Sequence, residues 1–261
     1  MKRRLQKILP GLALVAVLLG VWELYVDLGG VETLLLPAPH AVAQALWSNA
    51  HTILRNFVVT AEEVVLGLSL ALLCGFVAAI AIHLSPLVRR ATYPLAVGSQ
   101  AVPFPVIAPL LILWWGFGIF PKLVVITVIC FFPVVVTTVD ALAAVDPDQL
   151  KLLRSFGASR WQAFRIAELP AALPAAISGA RIALVIAWIA AFIAETTGAS
   201  TGPYPGLGRE IITDIGPALE TARAFAGTVV LCAFSIACFY ALGLAERKLA
   251  PWTIRTRGEL S

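Results

Sequence analysis

The sequence predicts an all-α membrane protein of six transmembrane helices, and three observations predict it. Hydrophobic residues fill 60% of the 261 positions and charged residues only 13%, with a mean hydropathy of +0.91. A water-soluble globule has no interior able to hide so much apolar surface. Six apolar runs each extend for about 20 residues, enough for a helix to cross a hydrocarbon core of about 30 Å. The basic residues are also unevenly placed: with the N-terminus inside, 15 of the 19 Lys and Arg fall on inward-facing segments, and Arg55, Lys122, Arg209 and Arg223 fall outside. Basic flanks stay on the cytoplasmic side, so both termini read as cytoplasmic. The net charge of +4 follows from that bias and requires no nucleic acid.

The first run, Ile8 to Val26, follows Lys2, Arg3, Arg4 and Lys7, and no small-residue cleavage motif comes after it. It reads as a retained span rather than a secretory signal. In Leu34 to Leu46 (LLLPAPHAVAQAL), Pro37 and Pro39 hold the chain extended before a surface helix from Ala41, with Trp47 at the interface. Val64 to His83 is the second span. The third, Leu95 to Trp115, carries Pro103, Pro105 and Pro109 in its first half, and Trp114 and Trp115 mark its outer boundary. Each interior proline frees a carbonyl that hydrocarbon cannot satisfy, so this segment either lines a wet path or is kinked against protein. Leu123 to Leu142, Pro174 to Ala194 and Ala224 to Leu244 complete the set. The organisation expected is a first helix and external segment over 1–60, a core permeation domain over 61–245 with a cytoplasmic loop at 146–170, and a tail at 246–261.

Charge within the spans is sparse, and a charge at mid-bilayer costs about 2.5–3.5 kcal/mol even on lenient scales. Arg181 lies inside the fifth span, about two turns from Pro174. Glu195 closes the same span, and at about 100° per residue the two share one helical face. Glu62 and Glu63 open the second span; with Glu195 they sit at the outer mouth, as interface residues or as a substrate vestibule. Cys74, Cys130, Cys232 and Cys238 lie in apolar runs without metal-ligand spacing and read as small hydrophobes. His40, His51 and His83 are scattered, and no phosphate-binding Gly-x-x-x-x-Gly-Lys-Ser/Thr, H-E-x-x-H or G-x-S-x-G occurs. No cofactor, metal or catalytic residue is expected; the work is movement of a solute.

The polar stretch Asp146 to Pro170 (DPDQLKLLRSFGASRWQAFRIAELP) is the informative loop. Pro147 suits a first helical turn, Leu150, Leu153 and Phe156 give that helix a sticky face, and Gly157 permits the left-handed turn that ends it. Ser159 can cap a second short helix bearing Trp161, Phe164 and Ile166, which Pro170 stops. Such a pair of helices makes a knob for a partner or, through Lys151, Arg154, Arg160 and Arg165, an amphipathic hairpin on lipid headgroups.

The loop resembles the cytoplasmic coupling loop of the permease subunits of bacterial ABC importers, whose pattern is E-A-A, three residues, Gly, nine residues, Ile, any residue, Leu-Pro. Gly157 and Leu169-Pro170 stand in register, whereas Lys151, Leu152 and Leu153 replace E-A-A and Ala167 replaces the Ile. LLPAPHAVAQAL, SQAVPFPVIAPLLILWWGFG, LPAALPAAISGARIALVIAWIAAFIAE and PGLG extend the similarity over most of 34–208, towards the nitrate, sulfonate, taurine and thiamine-precursor branch; ETTGAS, ETARAFA and ERKLAPW look most like the thiamine-precursor members. The resemblance implies a type I (MetI-like) importer in the inner membrane. Its partners would be a second permease copy in a homodimer, cytoplasmic ATP-binding subunits, an extracytoplasmic substrate-binding protein and membrane lipid. It implies ATPase contact through Leu153, Phe156, Gly157, Ala158, Ser159, Arg160 and Trp161. The residues themselves place a translocation path along Pro103, Pro105 and Pro109, by their freed carbonyls, and along Arg181 and Glu195, whose shared charged face is expected to turn from lipid to the second permease. The chain itself is then no enzyme. An ion-coupled secondary transporter would need buried ionisable residues, for which only Arg181 qualifies in the sequence, and a membrane scaffold would leave the knob and the prolines unexplained.

Overall fold

The computed structural model describes residues 2–99, 104–197, 204–216 and 218–249, and among these every regular element is helical. In chain order they are α1 (Lys2–Gly29), α2 (Pro39–Ser48), α3 (Ala50–Leu84), α4 (Pro86–Ser99), α5 (Phe104–Trp115), α6 (Ile119–Ala143), α7 (Pro147–Ser155) and α8 (Arg160–Ala163). A π-helical turn (Phe164–Glu168), α9 (Leu169–Thr196), α10 (Leu207–Ile215) and α11 (Thr221–Leu249) follow. Among the described residues, five helices are long and apolar enough to cross a membrane, in α1, α3, α6, α9 and α11.

The third expected span is described only on either side of residues 100–103. Its described parts are the end of α4, up to Ser99, and α5, which with 12 residues is about 18 Å long. Pro94 lies inside α4 and Pro109 inside α5, where each removes one amide from its helix. Pro103 lies outside the described residues. The second span also begins earlier than hydropathy indicated, since α3 runs for 35 residues.

The chain divides into two compact units, residues 1–59 with 202–232 and residues 60–201 with 233–261. In the first, Ala38 is extended and Pro39 opens α2 where its missing amide is no loss. The His40 amide donates to Glu23 Oε2 at 3.2 Å and its imidazole meets Glu23 Oε1; that hydrogen bond raises the imidazole pKa above its usual value. Thr221 Oγ1 donates to the Leu34 carbonyl at 2.8 Å. The helix α10, which no hydropathy run marked, buries Leu207, Glu210, Ile211 and Asp214. Asn56 donates to Glu210 Oε2 at 2.7 Å and accepts from the Gly206 amide at 3.1 Å, while Arg223 binds Asp214 and Glu220. Burial, then the neighbouring Asp214 charge, pushes the Glu210 carboxyl above its ordinary value; Arg223 and Asn56 oppose the shift.

The second unit is organised on the seam between α6 and α9. α9 turns a stripe of small residues, Ala172, Ala176, Gly179, Ala183, Ala187 and Ala194, towards its neighbours, all of them buried. Small residues let helix backbones approach closely, and between membrane helices that dispersion contact supplies much of the attraction. At Gly179 an added methyl would sit 2.2 Å from Thr137 Oγ1, and at Gly67 and Gly75 it would meet Ile126 and Val134 at 2.7 Å. Ala108, Leu111, Val125 and Ala194 fill one end of the unit, and Leu142, Phe164 and Ala172 another.

Candidate functional site

Local capping shapes the loop at 146–170. Asp146 accepts from the Asp148 amide at 2.9 Å and Pro147 occupies the first turn of α7. Gly157, with φ of +79°, reverses the chain; its amide donates to the Arg154 carbonyl at 2.9 Å and the Ala158 amide to the Leu153 carbonyl at 3.1 Å. Ser159 opens α8 with a reciprocal capping box, its hydroxyl accepting from the Gln162 amide at 3.3 Å and its amide donating to Gln162 Oε1 at 2.8 Å.

Two features of this knob depart from the sequence reading. The apolar surface shown to solvent is Leu152 (57% exposed), Phe156 (80%), Trp161 (57%) and Ile166 (63%). Leu150 and Leu153 are half-buried, because Leu153 turns into a groove it shares with Gln149, Ile166 and Pro170. Nor does Pro170 end the second helix. α8 continues through the π-helical turn into α9, with the Leu169 amide donating to the Phe164 carbonyl and Pro170 in the first turn of α9. The wider turn supplies the slack that a proline ring needs within continuous helix.

Below the knob, Trp161 stacks on Phe164 at 5.3 Å between ring centroids, and Phe164 is buried with Leu142 and Ala172 while Ile80 and Leu84 of α3 pack against the cluster. His83 Nε2 lies 2.7 Å from Glu168 Oε2, and Arg160 donates to the His83 carbonyl at 3.3 Å. Ala158 is half-buried; Gly157, Ser159 and Arg160 are exposed.

The residues expected along a path are distributed differently. On α5, Pro105 and Pro109 are exposed together with Val106, Leu110 and Leu113, while Ala108 and Leu111 face the core. Arg181 holds its guanidinium 4.2 Å from the centre of the Phe239 ring and so close to Gly243 that a methyl there would come within 3.0 Å of it. Glu195 opens onto no surface of the chain: it is buried and accepts from Thr60 Oγ1 at 2.7 Å. Glu63, within side-chain hydrogen-bonding reach of Glu195, binds Lys122 Nζ at 2.6 Å, and all four side chains are buried. Arg181 is thus not the one ionisable residue at depth. The Glu63 carboxylate on α3 meets the ammonium on α6, and opposite charges offset the desolvation that a lone ion could not bear.

Residues 71–250 match the family described as the binding-protein-dependent transport system inner membrane component. The chain belongs to this family. A probable ABC transporter permease protein of Haemophilus influenzae is 35% identical over 166 residues, which cover 64% of the chain and 68% of that relative. The formylaminopyrimidine transport permease protein of Halalkalibacterium halodurans is 31% identical over 63% of the chain and 65% of its own length. The taurine transport system permease protein of Escherichia coli is 29% identical over 91% of the chain and 87% of its own length. Among solved structures, an amino acid ABC transporter with histidines aligns with a TM-score of 0.62 at 14% identity over 80% of the chain and 97% of the other. The methionine transporter MetNI, in an inward-facing conformation, aligns at 0.56 and 17% identity over 83% and 97%. These likenesses carry the fold.

The chain is therefore a multi-pass inner-membrane permease subunit of an ABC importer. In this permease, sequence reasoning missed Lys122 as the partner of Glu63, and α10 with its buried Glu210 and Asp214. The signal for Lys122 was its level: it begins the fourth span where Glu195 ends the fifth and Glu63 opens the second, so opposite charges meet at one depth. For α10 it was the four-residue spacing of Glu210 and Asp214, one face of a helix.

Proposed function

We propose that this permease imports a small polar organic solute, a thiamine pyrimidine precursor or a sulfonate, driven by separate cytoplasmic ATP-binding subunits. It would work as two copies, each crossing the lipid six times with α4–α5 as the third crossing and both termini inside, fed by an extracytoplasmic binding protein. The knob is the observation that carries this reading. Leu152, Phe156, Trp161 and Ile166 expose apolar surface on a turn held by three caps, in a sequence that holds no phosphate-binding Gly-x-x-x-x-Gly-Lys-Ser/Thr. A rigid apolar projection of this kind fits a groove on a partner, and ATPase closure would act through it to alternate access to the path. The relatives that transport formylaminopyrimidine and taurine supply the solute class. We assign the path to the exposed face of α5 about Pro105 and Pro109 and to Arg181, with Pro103 leading into it; Glu195 supports the outer end from behind through Thr60, Glu63 and Lys122.

The test is uptake of radiolabelled taurine and formylaminopyrimidine by vesicles holding the reconstituted assembly, with and without internal ATP. Uptake of either that stops when ATP is withheld supports the reading; ion-gradient uptake without ATP refutes it. Gly157→Val should enter the membrane but lose the ATP-binding subunit on purification, because a side chain in the left-handed region costs about 1–2 kcal/mol and tilts the knob.

A further inference from the structure

The root of the knob carries a polar link that neither the coupling pattern nor the path requires. Glu168 occupies the unspecified position between Ala167 and Leu169, at the end of the π-helical turn. Its carboxylate lies 2.7 Å from His83 Nε2, and both side chains are largely shielded, at 12% and 15% exposure. His83 is the second-last residue of α3; Ser85 follows that helix, and Pro86 opens α4. On the other side of the link, Arg160, the first residue of α8, donates to the His83 carbonyl. One residue at the end of α3 is therefore held from the start of α8 and from the end of the π-helical turn, over a floor made by the buried Phe164 ring, 6.3 Å from the imidazole.

We propose that His83 and Glu168 form a transmission latch: positioning residues that couple displacement of the knob to the junction of α3 and α4, and through α4 to the proline-bearing α5. The proposal rests on the ATP-driven reading above. Three geometric facts support it. Packing of Phe164 against Ile80 and Leu84 is apolar and allows the knob to rotate or slide, whereas an imidazole–carboxylate bond fixes direction as well as distance. The π-helical turn sets the direction of Glu168: its extra residue shifts every later side chain by about 100° relative to an unbroken α-helix, so the carboxylate is aimed by the same irregularity that accommodates Pro170. Finally, the end of α3 is the place where a small shift has the largest consequence. Only Ser85 separates α3 from α4, and α4 leads into α5, whose exposed prolines border the assigned path.

The experiment uses the full chain assembled with its ATP-binding subunit, its four cysteines replaced by alanine and a reporter cysteine placed at Leu110 on the exposed face of α5. Labelling by a charged methanethiosulfonate is compared between the nucleotide-free assembly and one trapped with MgATP and vanadate. Glu168→Gln and His83→Gln should keep the ATP-binding subunit and hydrolyse ATP at the parent rate or above, while the nucleotide-dependent change in labelling falls at least five-fold. The exchanged pair, His83→Glu with Glu168→His, should recover half of that change or more. Single variants with the full parent change, or an exchanged pair no better than the singles, overturn the latch. Loss of singles and exchanged pair alike from the membrane fraction also overturns it, because the pair would then serve folding alone. A parent that retains no ATP-binding subunit refutes the ATP-driven reading, and the latch with it.

Discussion

Gly179→Ala probes the α6–α9 seam at its tightest point. The added methyl would lie 2.2 Å from Thr137 Oγ1 and 2.8 Å from Thr137 Cβ, so the oxygen falls 1.2 Å short of the 3.4 Å at which ordinary contact begins. Turning the Thr137 side chain removes only the first clash, and it breaks the hydroxyl's 2.7 Å bond to the Pro133 carbonyl. The Cβ moves only if one helix backbone moves. Overpacking of this kind costs about 1–3 kcal/mol, and with backbone displacement the upper half of that range applies. For a chain of this size each kcal/mol lowers the thermal midpoint by about 2–4 °C, giving a fall of about 4–12 °C. The assay is the size-exclusion peak of a fluorescently tagged, detergent-solubilised chain after stepwise heating. The decisive companion is Gly179→Ala with Thr137→Gly, which moves the notch to the facing helix. It should be more stable than Gly179→Ala alone although Thr137→Gly by itself costs about 0.5–1 kcal/mol, a coupling of about 1 kcal/mol or more. A midpoint unchanged to within about 1 °C in the single variant, or strict additivity in the pair, would refute the close approach.

Lys122→Met leaves the Glu63 carboxylate buried without its ammonium; a loss of about 3–5 kcal/mol is expected in the same heating assay, and adding Glu63→Gln should return most of it. Glu210→Gln tests the helix α10. A carboxyl whose folded-state pKa is raised above the ordinary 4.5 favours the folded chain fully below pH 4.5, and that contribution is lost as pH climbs through the raised value. The variant should therefore gain in midpoint over the parent near neutral pH and show no gain below pH 4.5. Arg181→Leu should keep assembly with the ATP-binding subunit but lower solute uptake at least ten-fold, whereas uptake at the parent rate would reduce Arg181 to a packing residue against Phe239.

Whatever depends on a few adjacent residues could be read from the sequence. Asp146-Pro147, Gly157 and Ser159 act through their own backbone neighbours, and the structure places a cap or a left-handed turn at each. Hydropathy likewise found the long helices, because membrane depth demands uninterrupted apolar length. What escaped was pairing at a distance. Lys122 and Glu63 are 59 positions apart, and Thr60 and Glu195 135 apart, so no local pattern marks them as partners. The π-helical turn escaped for another reason: Pro170 is a strong stop signal on its own, and the packing of Phe164 against Ile80 and Leu84 of α3 is a distant contact that no local pattern shows. α10 escaped because it is short and its buried face mixes Leu207 and Ile211 with Glu210 and Asp214, so an apolar template passes over it.

The alanine stripe of α9 has a mechanical consequence. Side chains that end at Cβ have no rotamers to change, so α6 and α9 have little means of sliding or yielding against one another. Together they act as a stiff strut about 40 Å long. A push at the end where α8 runs unbroken into α9 would reach Glu195, at the far end, with little loss. The buried Glu63–Lys122 pair, with Glu195 beside it, is then the bearing on which the far end of the strut rests.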